Sequence, residues 1–156
     1  MTSWQATCRT AKVQQEDAHG CGVACLAMCA KVTYVEAKKT FDSLGLGLQR
    51  KNKPPYSTNF KELLSALEAQ GLVARQKHWA GWDNFHGMGI IKVKCAPGAP
   101  KNRFHWVVAE QHPVHGVVIF DSDFELPCFR TAPPAGVKHN PFENYVAFGA
   151  WITVGG

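Results

Sequence analysis

An α+β fold, with helices near the N-terminus packed on an antiparallel sheet formed later in the chain, is what this sequence predicts. Two observations carry that reading. Apolar residues up to about residue 71 recur at helical spacing behind helix-capping signals, and the second half is built from short runs rich in Val, Ile and aromatic residues. Helices first and strands afterwards is the α+β order. A chain of 156 residues, 46% hydrophobic and 19% charged, fits one globular domain over 1–156 rather than a disordered chain.

Residues 1–14 are polar and read as an extended arm, with no apolar signal region. Residues 21–31 are apolar almost all round, the mark of a buried helix, and Gly20 and Gly22 flank its start. Thr33 with Glu36 three residues on has capping-box spacing, predicting a second short helix to about Asp42. Residues 44–57 read as a surface loop: two glycines, Pro54-Pro55 and the basic residues Arg50, Lys51 and Lys53. A third helix starts near Asn59, with Glu62 in the reciprocal position. Phe60, Leu63, Leu64 and Leu67 form its apolar face, and Gly71 stops it. Segments 89–95, 104–110, 116–121 and 145–154 read as strands, with 112–116 a hairpin turn and 122–144 irregular.

Charge and cysteine content narrow the function. The net charge of +5 is partly concentrated in the 50–53 cluster, which reads as a solvated loop rather than a nucleic-acid or membrane patch. No apolar run reaches the roughly 18 residues of a membrane helix, so the expected compartment is the cytoplasm. The six cysteines contain no Cys-x-x-Cys pair and are expected to be mostly reduced. Cys21, Cys25 and Cys29 share a helical stripe and could bind a soft metal. The preferred reading is one nucleophile with two small core residues behind it, and no metal or cofactor.

Cys21 opens the first helix, where outward-pointing N–H groups and the helix dipole favour thiolate over thiol. Its own N–H could face an oxyanion, and the flanking glycines allow a substrate carbonyl to approach. A thiolate nucleophile needs a base, and His105 starts a strongly predicted strand, a rigid platform for one. The base needs an orienter. Asp121 ends the next strand, and a hairpin would return it beside His105, where a carboxylate can fix the imidazole tautomer. Asp123 is the alternative, although alternation places it in the following turn.

Together these residues resemble a known family. The segment QEDAHGCGVACLAM (15–28) is similar to the nucleophile motif of the bacteriocin-processing, double-glycine peptidases, which are papain-like. Gln15, Cys21, Gly22, Ala24, Leu26 and Met28 match it position by position. HWVVAEQHPVHGVVIFDSD (105–123) resembles the second block of the family, a histidine, an apolar strand and then an aspartate. The resemblance covers roughly residues 13–125 and implies a papain-like α+β fold with a Cys21–His105–Asp121 triad. It also implies that the Gln15 side chain is an oxyanion donor, and that a thioester forms during hydrolysis of a peptide or isopeptide bond. The family usually has an aspartate directly before the nucleophile, where this chain has Gly20, a departure that bears on contacts with substrate. Family members are commonly fused to membrane transporter domains, of which this sequence carries no membrane segment or nucleotide-binding motif.

His19, Gly20 and Trp82 are the candidate substrate-binding residues. An exposed loop histidine and core packing of Trp79 and Trp82 are the alternatives. The expected partner is a peptide or protein substrate, with a Gly-Gly site suggested by the resemblance; a role for the Gly155-Gly156 tail as a mimic of such a site competes with a simple frayed end. A non-catalytic peptide-binding domain, or a deamidase on the same fold, is the rival function.

Overall fold

The computed structural model describes residues 4–94, 104–131 and 133–155. Helix α1, Cys21–Ala30, is the centre of the molecule: residues 22–29 are all buried, as its uniformly apolar sequence requires. It ends at Lys31, which adopts the left-handed conformation and returns its N–H to the Ala27 carbonyl. Helices α2, Tyr34–Ser43, and α3, Phe60–Ala69, both begin with the capping boxes read from the sequence, Thr33/Glu36 and Asn59/Glu62. Gly71, at φ 78°, follows the end of α3.

The three helices cover one face of a six-stranded antiparallel sheet. In chain order the strands are β1 (Ala74–His78), β2 (Met88–Lys94), β3 (His105–His112), β4 (Gly116–Phe120), β5 (Cys128–Phe129) and β6 (Val146–Val154). Across the sheet they run β1-β6-β2-β3-β4-β5, every neighbouring pair antiparallel. Strand alternation divides the core. Met88, Ile90, Trp106, Val108, Val118, Phe120 and Ile152 face the helices, where they meet Val23, Leu26, Phe41, Leu63 and Leu67. Ile91, Val93, Val107, Ala109, Ile119, Tyr145 and Trp151 face the other way, under Trp79, Trp82, Phe85 and Phe142.

Two expectations need correction. The N-terminal arm is not extended throughout, because Trp4–Thr7 forms a 3-10 turn that lays Trp4 against Phe120 and Phe129. Segment 122–144 is not wholly irregular, since it contributes β5 and a 3-10 turn at Phe142–Asn144. The 44–57 loop is pinned rather than free: Arg50 and Lys53 both bind the Glu62 carboxylate at the start of α3, and Arg50 and Lys53 pair through their backbones. Cys95, at the expected end of a strand, and Gly156 lie outside the described residues.

Candidate active site

The β3–β4 hairpin does what its spacing predicts. Val108 pairs with Phe120, so Asp121, one residue beyond β4, falls next to the start of β3 on the same face as His105. His105 Nε2 donates to Asp121 Oδ1 at 2.6 Å, and both side chains are buried. That bond leaves Nδ1 as the free ring nitrogen, and the Cys21 side chain lies close enough to the imidazole to favour its charged form. Cys21 is the first residue of α1, and Gly20 caps the helix without any side-chain hydrogen bond. The N–H groups of the first turn therefore remain available at the sulfur.

The electrostatics of the pair follow from these contacts. Burial alone would lower the His105 pKa. The hydrogen bond to Asp121, the interaction with the Cys21 side chain and the negative charge of both partners outweigh it and raise the value to about 10. Burial pushes the other described thiols up: Cys25 well above its ordinary value, Cys29 and Cys128 to about 12, and Cys8, with help from Glu110, to about 11. All five described cysteines are free thiols, and Cys25 and Cys29 are packed into the core.

Gln15 lies on the arm just before α1. Its Nε2 donates to the Asp17 carbonyl at 3.1 Å, and its Oε1 accepts from Ser122 Oγ at 2.8 Å. The Asp17 carbonyl also accepts from the Gly20 N–H, so the Gln15 amide is joined to the turn that delivers Cys21. Gly20 itself is buried beneath Tyr34. A Cβ there would collide with the Tyr34 hydroxyl, which donates to Asp17 Oδ2 at 2.7 Å. His19 sits half-buried in the same turn. Trp82 is placed elsewhere: its ring packs on Trp79, Phe85 and Phe142 on the sheet face away from the helices, and no described contact joins it to Cys21 or His105. Asp123 binds the site through its backbone, donating its N–H to Asp121 Oδ1 at 2.9 Å.

Three supporting residues were not singled out by the sequence reading. Tyr145 donates its hydroxyl to Asp121 Oδ2 at 2.9 Å and is 2% exposed. Burial and the Asp121 charge push the Tyr145 pKa upward, which keeps the phenol a donor. Asn140 Nδ2 donates to the Tyr145 oxygen at 3.3 Å and to the Leu126 carbonyl at 3.0 Å. Ser122 is the third. Only the position of Ser122, directly after Asp121, is a signal the sequence offers; Asn140 lies in the stretch read as irregular, and Tyr145, at the start of an expected strand, carries nothing that points to Asp121.

Farther along the arm, the buried Glu110 carboxylate accepts the N–H groups of Arg9 and Thr10 at 2.7 and 2.8 Å. Thr7 Oγ1 meets His112 Nε2 at 2.7 Å. With the Gln15 N–H donating to the Ser122 carbonyl at 3.0 Å, these contacts strap the arm to β3 and to the end of β4.

No family model and no curated protein matches the chain. Solved structures do. The peptidase domain of Streptococcus ComA, a bifunctional ABC transporter involved in a quorum-sensing pathway, aligns over 92% of this chain and 96% of its own, at 19% identity and a TM-score of 0.59. The peptidase domain of Streptococcus mutans ComA aligns over 93% and 98%, at 18% identity and a TM-score of 0.55. Identities this low speak to architecture alone, and in architecture this chain, three helices on a six-stranded antiparallel sheet, has the papain-like fold of those peptidase domains.

Proposed function

We propose that this chain is a cysteine peptidase using Cys21 as nucleophile, His105 as acid and base, and Asp121 to orient His105. The observation that carries the reading is the buried His105–Asp121 hydrogen bond with the Cys21 side chain acting on the same imidazole at the uncapped start of α1. The sulfur, its proton already on His105, attacks the substrate carbonyl carbon. The negative charge on the carbonyl oxygen is met by the Cys21 N–H and by the second N–H of Gln15 Nε2. The intermediate collapses as His105 gives its proton to the departing amine, leaving a thioester. Water, deprotonated by His105, then releases the carboxylic acid and regenerates the starting pair of sulfur anion and imidazolium.

Two aromatic rings support small residues on the acyl side, as in a Gly-Gly site. Phe60 packs edge-on against Trp106 at 4.9 Å between centroids. Trp106 follows His105, and Thr58, two residues before Phe60, abuts Gly22 so closely that a Cβ there would lie 2.9 Å from its hydroxyl. On this reading the ring pair is the wall that limits the width beside the scissile bond, although strand alternation turns the Trp106 ring to the sheet face opposite His105. Free thiols throughout the described core suit a reducing compartment such as the cytoplasm. No described helix is long and apolar enough to cross a membrane.

The test has two parts. Iodoacetamide at pH 6 to 7 should alkylate Cys21 far faster than Cys8, Cys25, Cys29 or Cys128, and Cys21→Ala should abolish hydrolysis of a peptide library containing Gly-Gly sites while leaving the circular dichroism unchanged. Labelling of Cys21 no faster than Cys8, or turnover that survives Cys21→Ala, overturns the reading.

A further inference from the structure

A glutamine is an ambiguous oxyanion donor. Its amide has an NH2 end and a carbonyl end of nearly equal size, and rotation about the last side-chain bond exchanges them. One orientation offers a hydrogen to the developing charge, whereas the other offers a second negative dipole and opposes the reaction. Gln15 lies on an irregular arm, so the orientation has to be imposed by neighbours.

The neighbours define it without ambiguity. The Asp17 carbonyl can only accept, so the end of Gln15 that meets it at 3.1 Å is the NH2 group. The opposite end, Oε1, therefore receives the Ser122 hydroxyl at 2.8 Å. Ser122 has no solvent-exposed surface, and the sole hydrogen bond of its hydroxyl among the described contacts is this one. Its carbonyl also takes the Gln15 N–H at 3.0 Å, so one residue grips both the main chain and the side chain of Gln15. Since Ser122 directly follows Asp121, a single segment at the end of β4 sets both the partner of the base and the partner of the oxyanion donor.

We infer that Ser122 is a positioning residue for catalysis, holding the Gln15 amide with its NH2 toward the oxyanion. The inference rests on the peptidase reading above and adds to it the residue that makes Gln15 competent. Removing the hydroxyl leaves Gln15 in place with its amide held only at the NH2 end by the Asp17 carbonyl, which loosens its orientation and weakens an interaction made mainly in the transition state.

Ser122→Ala is expected to lower kcat about 10-fold with little change in KM, the equivalent of one oriented hydrogen bond. Gln15→Ala should cost about 100- to 1000-fold. The double variant should be no slower than Gln15→Ala alone, because Ser122 acts only through Gln15. A Ser122→Ala rate within two-fold of the parent, or losses that multiply in the double variant, overturns the inference. A readout independent of turnover separates this from the failure of the peptidase reading. The two side-chain amide protons of Gln15 should give distinct, slowly exchanging NMR signals in the parent, and merge toward free-amide behaviour in Ser122→Ala. Unchanged Gln15 signals in Ser122→Ala sink the positioning role even if no substrate is ever cleaved, whereas absence of Cys21-dependent cleavage sinks the peptidase reading alone.

Discussion

Asp121 receives three donors: His105 Nε2 and the Asp123 N–H on one oxygen, and the Tyr145 hydroxyl on the other. A buried carboxylate is costly unless its lone pairs are met, so Tyr145 holds the charge as well as the orientation of the group that steers His105. Tyr145→Phe keeps the ring in its place in the second core and removes only the donor. It is expected to lower kcat about 10- to 100-fold with KM nearly constant, the effect of one hydrogen bond to a charged group. Steady-state kinetics on a Gly-Gly peptide measures this, and an unchanged kcat would show that Asp121 needs only two donors. His105 itself carries a pH signature. Its pKa is raised in the folded state, to about 10 from 6.5, because Asp121 and Cys21 outweigh burial. Its contribution to stability is therefore complete below about 6.5 and is lost as pH rises through about 10. The His105 ring carbon resonances should keep the imidazolium shift at pH 8. A titration midpoint near the ordinary value would show that burial cancels the two partners.

At the scale of elements, α1 was legible because its sequence left no choice. An all-apolar decapeptide entered through a glycine reads as a buried helix, and a cysteine at its first position sits at the positive end of the dipole. The capping boxes fixed the starts of α2 and α3 with equal clarity. The sequence failed where stability comes from elsewhere. Strand β1, ARQKH, has one half-buried residue and four exposed, so it shows no alternation; it exists because its backbone pairs with β6 from Ala74↔Val154 to His78↔Ala150. β5 is two residues long, too short to carry a pattern. The same distinction separates the site residues. Cys21, His105 and Asp121 announce themselves by the end of an element and a hairpin spacing. Tyr145 and Asn140 reach Asp121 through irregular chain, and their contact depends on distances in space alone. Gly20 shows the converse. Its presence before the nucleophile gave no reason in the sequence, and the structure supplies one, since Tyr34 occupies the space a side chain there would need in order to bind Asp17.

The described residues form two layers that meet at the proposed reacting pair, with Cys21 brought by the helices and His105 by the sheet, so on that reading whatever fills the seam between the layers selects what can reach the sulfur. The seam is filled by rings. Phe60 from α3 meets Trp106 from β3, and the Lys92 ammonium lies 5.5 Å from the Phe60 ring centroid and 3.9 Å from that of Phe104. Burial lowers the Lys92 pKa, against the pull of the aromatic faces, which favour the cation. Such packing is rigid on both sides, because Trp106 is locked into the sheet core and Phe60 is fixed by the capping box one residue before it. On the proposed reading, a substrate with a branched residue near the scissile bond would have to displace a ring, which costs more than one methylene of burial returns. Phe60→Ala opens that width without touching Cys21, His105 or Asp121. It is expected to cost roughly 2 kcal/mol of stability, less than a fully buried phenylalanine would. It should also raise kcat/KM for a peptide with Val or Leu in place of the acyl-side glycines by about 10-fold relative to Gly-Gly. Competition between the two peptides in one tube, read by mass spectrometry, reports that ratio directly. A ratio that stays at the parent value while the melting temperature falls would mean that the rings serve the core and that selection for small residues, if present, is made on the sheet side of the cleft.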